Sequence, residues 1–283
     1  MIAQTLMNQL ENSNVLFNVR EESLVTGSGL VIPNKKVLVN EHNQQPIGIV
    51  SNNYRTVLNE EIFSKFTKAI ETSNINTDGA EIKVKFSKGG ARTMVDFRFP
   101  NEMIEVNGDV TALSITALNS FDGSTRYITK AGGLRMKCLN GQVLGKVAGA
   151  YSSFHNQSLD VDQGAKQIME MLKTFQSSKE YWGKLMTRKV NPNQVLYIFG
   201  EFLGLDLTDE ANLKKPTVNQ LQTLWYSYSK ELGNNVYAVY NCLTDYVTHR
   251  KYNDNAAAQS YLRGQSRIEQ VMQSNPLFSE VEA

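Results

Sequence analysis

The chain lacks most of what advertises a function. Its 283 residues hold only two cysteines, three histidines and two tryptophans. Cys138 and Cys242 are far apart in sequence, which argues against a disulfide framework; reduced thiols are expected. His42, His155 and His249 are scattered, so no metal-ligand spacing exists and no metal or other cofactor is expected. Asp245 and His249 share a helix face, but such a pair is commoner as a hydrogen bond than as half a metal site. No apolar run reaches the roughly 18 residues that a membrane helix needs. The start, MIAQTLMNQL, has neither the basic region nor the long apolar core of a secretory signal, so a cytoplasmic protein without a membrane partner is expected. Net charge is only +1, from 29 basic and 28 acidic residues, so any attraction for nucleic acid must come from a local patch. With 41% apolar and 20% charged residues, the chain is globular in composition rather than disordered.

Catalytic motifs are missing too. Gly141 and Gly145 precede Lys146, but they enclose three residues where a phosphate loop has four, and Val147 stands where Ser or Thr would bind magnesium. No G-x-S-x-G occurs, and nothing orients Cys138 towards His155. A protein without enzymatic activity is expected, with an enzymatic reading confined to Asp122, Arg135, Asn140 and His155 meeting in one pocket.

What is present is a change of period. Residues 2–16 allow a short helix, and strand-like pieces follow at 37–39 and 47–50. From Asn59, the residues Ile62, Phe63, Phe66 and Ile70 recur at helical spacing. Between about 80 and 150 the period is two. Asn107-Gly108, Asp122-Gly123 and Asn140-Gly141 are hairpin signals, because Asn, Asp and Gly tolerate the positive φ of tight turns. Gly132-Gly133 reads as a further break. After Asp160 the period is helical again, with Pro192 and Pro216 opening two of about five helices. The fold class is therefore α+β: an antiparallel meander over about 80–150, flanking helices and a mostly helical C-terminal half. Residues 1–159 form the sheet-bearing part. Residues 160–283 either pack on that sheet or make a second lobe.

The hairpins gather one sign of charge. Arg126, Lys130, Arg135, Lys137 and Lys146 fall in a span with no acid between Asp122 and Asp160. Alternation puts Arg126 and Lys130 on one face, and Arg135 and Lys137 on one face of the next strand. If the faces align, they form a phosphate track with Tyr127 and Tyr151 as stacking partners. The alternative is a solvated sheet face. The tyrosine-rich stretch 234–252, with Trp225 and Tyr226 upstream, forms either an exposed interface or, more commonly for a helical aromatic stripe, core.

NSFDGSTRYITKAGGLRMKCLNGQ, followed by His155, resembles the signature of phage- and plasmid-encoded proteins of unknown function. The matching positions are Asn119, Ser120, Asp122, Gly123, Ser124, Arg135, Cys138, Asn140, Gly141 and His155. Tyr54, Asn59 and Glu60 upstream, and Tyr240, Asn241, Thr244 and His249 downstream, extend the similarity over roughly 37–250. Lys146 and the less apolar Tyr127-Ile128-Thr129 depart from the family and leave the basic surface more marked. The resemblance implies a structural role for Asn119, Asp122, Gly123, Asn140, Gly141 and His155. It is silent on activity. The order helix, hairpins, helix is also similar to the core of phage single-strand annealing proteins of the Erf and lambda Beta type. That similarity implies an oligomer binding single-stranded DNA in the host cytoplasm, as part of phage or plasmid DNA metabolism. The other function class that fits is a protein-interaction module, one that counters host defence or recruits replication factors through the helical half.

Overall fold

The structure, a computed structural model, describes residues 2–138, 140–143, 150–253 and 257–279. Helix α1 (Ile2–Asn12) leads into a three-stranded antiparallel sheet of β1 (Val19–Val25), β2 (Val31–Asn40) and β3 (Gln45–Ser51). Helix α2 (Asn59–Glu71) follows, carrying Glu60 and Glu61 in its first turn, where the helix dipole favours them. The main sheet runs in the order β4 (Glu81–Ser87), β5 (Arg92–Val106), β6 (Asp109–Ser120), β7 (Tyr127–Arg135), β8 (Asn140–Val143), all antiparallel. A short β9 (Tyr151–Ser153) pairs with the start of the same β7 edge. Then come α3 (Val161–Lys166), α4 (Ile168–Thr187), α5 (Pro192–Leu203), α6 (Glu210–Leu213), α7 (Pro216–Leu232), α8 (Val236–His249), α9 (Ala257–Ser274) and α10 (Pro276–Ser279). The class is α+β with a helical C-terminal half.

Helices cover both faces of the main sheet. On one face Phe97 packs against Phe63 and Phe66 of α2, and α4 crosses β5, β6 and β7. On the other face α9 crosses β4 and β5, with Tyr261 under Lys85 and Glu269 against Lys130. Hence every residue of β6 except Val110 is buried, which a half-solvated antiparallel sheet would not give. Buried residues of the sheet and of α4, α5, α7, α8 and α9 form one continuous hydrophobic cluster, so the helical half packs on the sheet.

Two turn signals behave differently. Asn107 and Gly108 take φ of 50° and 81° and join β5 to β6 with Val106 opposite Asp109, the two-residue hairpin the sequence predicts. Gly132-Gly133 does not break the chain. Both lie inside the uninterrupted β7, opposite Ser114 and Leu113. The next turn is at Met136–Cys138, and the backbone of Asn140-Gly141 already belongs to β8.

Gly48 sets the smaller sheet against the main one. A Cβ there would collide with the carbonyl oxygen of Phe121 and the Cα of Asp122. Backbone cannot swing aside as a side chain can, so Gly48→Ala is expected to cost about 1–3 kcal/mol, read as a lower midpoint in urea unfolding.

Candidate functional site

The uninterrupted β7 changes the fate of the hairpin cations. Side chains alternate along a strand, so Lys130 and Arg135, an odd number of residues apart, point to opposite faces. The four-cation surface that assumed a break at Gly132 does not form. Arg135 is 1% exposed. Its Nε donates to both carboxylate oxygens of Asp109, at 2.7 and 2.9 Å, and its Nη2 donates to Glu231. Tyr237 donates to the same Asp109 at 2.6 Å, and the Cys138 thiol lies 3.2 Å from Arg135 Nη1. Burial disfavours the guanidinium charge, but the bonds to Asp109 and Glu231 outweigh it and hold the group more firmly protonated than usual. Lys137, exposed, reaches Glu231 at 3.0 Å, and Lys130 is bound to Glu269 at 3.1 Å. Arg135, Lys130 and Lys137 are thus matched by carboxylates from distant parts of the chain. Lys146 lies outside the described residues.

The aromatic residues divide similarly. Tyr127 is fully buried beneath Gly164 of α3 and cannot stack on a base. Half-buried Tyr151 packs edge-on against it, centroids 5.8 Å apart, and its hydroxyl accepts the Asp160 N–H. Tyr237 and Tyr240 are core, so α8 does not offer an aromatic docking face. Asp245 accepts from Tyr228 at 2.7 Å while His249 meets the Cys138 carbonyl oxygen at 3.0 Å. Among the described residues no three His, Cys, Asp or Glu side chains are grouped to hold a metal.

The motif residues around Asn119 form a structural knot. Asn119 Nδ2 donates to the Val57 carbonyl and to Asn59 Oδ1, both at 2.9 Å. That leaves Asn119 Oδ1 as acceptor for His155 Nε2 at 2.8 Å, so the ring carries its proton on Nε2. Asn59 in turn donates to the Val15 carbonyl at 2.9 Å and to Thr93 at 3.2 Å. Tyr54 stacks on the imidazole, centroids 5.0 Å apart and planes 11° from parallel, and its hydroxyl donates to the Ser120 carbonyl. Burial drives the His155 pKa down to about 4. Asp122 closes its own turn by accepting from Ser124 N–H at 3.0 Å, beside Gly123 at φ 67°. It also pairs with buried Arg92 at 3.1 Å. Arg135 sits opposite Thr111, eight residues along β6 from Asn119, or roughly 26 Å at strand rise. The four residues of the enzymatic reading therefore do not share a pocket.

One cation of the hairpins, Arg126, keeps an aromatic partner instead of a carboxylate. Its guanidinium lies 3.9 Å from the centroid of the Phe154 ring, and Phe154 is 59% exposed. The pair stands beside a groove of about 400 Å³ between the main sheet and α9. Thr125, next to Arg126, lines it with Leu118 and Ile128, and Ile128 pairs with Ser152, two residues before Phe154. The opposite wall is one stripe of α9: Gln259, Leu262, Arg263, Ser266, Arg267 and Gln270. Arg267 is braced by the Phe202 carbonyl at 2.8 Å, and Gln259 by Arg92. The lining holds two arginines and, among the described residues, no carboxylate. Thr125 Oγ1 is buried at this wall without a hydrogen-bond partner among the described residues. Two arginines, side-chain amides and hydroxyls, and an apolar floor of Leu118, Ile128 and Leu262 meet in this groove. The hairpin reasoning missed α9, yet its i, i+3, i+4, i+7 stripe, with Arg263 and Arg267 four apart, is legible in QSYLRGQSRIEQ.

Residues 46–273 match the model of a family described as a domain of unknown function, DUF932. The chain belongs to the DUF932 family. The match takes in Tyr54, Asn59, Asn119 and His155, the groove and all of β7, whereas β1 and β2 precede it. No curated protein and no solved structure matches this DUF932 chain. The family description assigns no activity. Among the described residues no helix is long and apolar enough to cross a membrane.

Proposed function

We propose that this DUF932 protein binds single-stranded DNA, without enzymatic chemistry, in the groove between β7 and α9. The observation that carries the proposal is the groove's lining: Arg263 and Arg267 with no carboxylate among them, beside the exposed Arg126–Phe154 pair. Arginines displace counterions from phosphates, and an exposed ring stacks on an unpaired base whatever its identity. Arg126 is retained, Arg263, Arg267 and Phe154 join it, Lys130, Arg135, Tyr127 and Tyr151 are given structural roles, and Lys137 is left as a surface partner of Glu231. The similarity to phage- and plasmid-encoded proteins supports a setting in mobile-element DNA metabolism inside the host cytoplasm. Binding that holds bases without reading them suits strand protection or annealing.

Photocrosslinking tests the location. A single-stranded oligonucleotide carrying photoreactive thymine analogues is expected to attach to Phe154 and to the α9 peptide containing Arg263. Crosslinks confined to other surfaces, or none at low salt, contradict the proposal.

A further inference from the structure

Strands β1 and β2 continue past the sheet they belong to. β3 pairs with β2 as far as Lys35, opposite Ser51, and Asn52 N–H still reaches the Asn34 carbonyl at 3.2 Å, so residues 24–33 project as a two-stranded arm. From Ser23 to Asn34 the arm has no charged residue. Val25, Leu30 and Val31 are 52%, 68% and 64% exposed. Nothing lies within 4 Å of where a Cβ on Gly27 or Gly29 would sit, so the turn stands clear of the chain. An uncovered apolar ribbon is an association surface.

The same chain carries a complementary groove. α5 and the loop after it enclose about 650 Å³. Leu196, Tyr197 and Leu205 give it apolar walls, and Tyr197 is 61% exposed. Glu201 and Asp206 are its charged lining residues, and exposed Asp209 and Glu210 extend the acidic rim. Lys35, exposed at the base of the arm, supplies the opposite sign. The arm's sheet packs on the turn at Lys88–Gly90 and α5 packs on α9, so the two features belong to different regions of the molecule.

We infer that the arm of one copy seats in the α5 groove of a second copy. Leu30 and Val31 cover Tyr197 and Leu196, and Lys35 faces Asp206. The arm itself carries no charge with which to select a second arm, whereas Asp206 in the groove offers Lys35 an unlike charge, and charge complementarity decides register and partner. The contact joins two different surfaces, so it repeats head to tail and either closes into a ring or continues as a filament. None of the arm or α5-groove residues named here lines the proposed DNA groove, whose Arg267 reaches Gly204 at the edge of the α5 groove.

The test is sedimentation velocity of the full chain, without nucleic acid, over a concentration series. The wild type is expected to exceed monomer mass as concentration rises. Leu30→Asp, a change in a side chain that stands in solvent, is expected to weaken association about 30-fold, as for loss of one central interface anchor, while circular dichroism stays unchanged. Tyr197→Asp should do the same from the groove side. Lys35→Glu and Asp206→Lys should each weaken assembly alone, and an equimolar mixture of the two should restore it, because each arm then meets an opposite charge. A wild type that stays monomeric overturns the inference, as does association indifferent to Leu30→Asp. Loss with Leu30→Asp but not with Tyr197→Asp or Asp206→Lys places the arm elsewhere and also overturns it, as does a mixture that fails to reassociate. Since DNA is absent, none of these outcomes bears on the groove between β7 and α9.

Discussion

Replacing Arg135 with alanine is expected to destabilise the protein by about 3–5 kcal/mol, the cost of leaving one partner of a buried ion pair unpaired. The side chain is 1% exposed and its Nε satisfies both oxygens of Asp109, itself buried. After truncation, Asp109 keeps the Tyr237 hydroxyl but faces a cavity with its charge uncompensated. Glu231 loses the guanidinium too; it is held below the usual carboxylate range because its bonds to Arg135 and Lys137 outweigh partial burial. A loss of this size is a large part of a typical folding free energy, so the variant should unfold at markedly lower urea and express poorly. Lys137→Ala, exposed and paired only at the surface, should change stability by less than about 1 kcal/mol. If Arg135 were a phosphate contact, the variant would keep its stability and lose DNA affinity instead.

Acid is expected to weaken the fold through His155. The folded-state pKa is about 4, lowered by burial, against about 6.5 for an unfolded histidine. Between those values the unfolded chain binds the extra proton and the folded chain does not. Stability contributed by neutral His155 is therefore complete above about pH 6.5 and is lost as the pH falls to about 4. The gap corresponds to about 3 kcal/mol. Nε2 already carries a proton for Asn119, so protonation adds charge at the other ring nitrogen, in a site closed by Tyr54. His155→Gln keeps an N–H donor for Asn119 and removes the titration. Urea unfolding of both proteins across this range should show the wild type losing stability relative to the variant. Carboxylate titrations are common to both and cancel in the comparison. Parallel curves would mean that His155 charges freely in the fold.

Local patterns predicted local structure well. The apolar spacing from Ile62 to Ile70 is α2, and Asn107-Gly108 is the hairpin turn. Gly132-Gly133 misled because glycine lowers strand propensity, while here pairing with β6 on one side and β8 on the other overrides that preference. In the unbroken strand Lys130 and Arg135 take opposite faces, which a break at Gly132 would not require. β1 was not legible, since VREESLV neither alternates nor buries a face. The run of cations looked unopposed because its acids come from far along the chain, 96 residues away for Glu231 and 139 for Glu269. Compensation at such separation leaves no mark in a sequence window. The groove was half legible: its α9 stripe is periodic, but its facing wall is assembled only by the sheet.

Fluorescence anisotropy over a salt series decides whether single-stranded DNA lies between β7 and α9. A labelled oligonucleotide would be titrated with wild type, with Arg126→Glu/Arg263→Glu and with Lys130→Gln/Lys137→Gln. Each phosphate contact on a single strand contributes about 0.7 to the slope of log affinity against log salt. The groove variant is expected to bind far more weakly, with a slope smaller by about 1.4, while the hairpin variant follows the wild type. A wild type that does not bind at low salt, or a groove variant with unchanged affinity and slope, would exclude this groove as the DNA site.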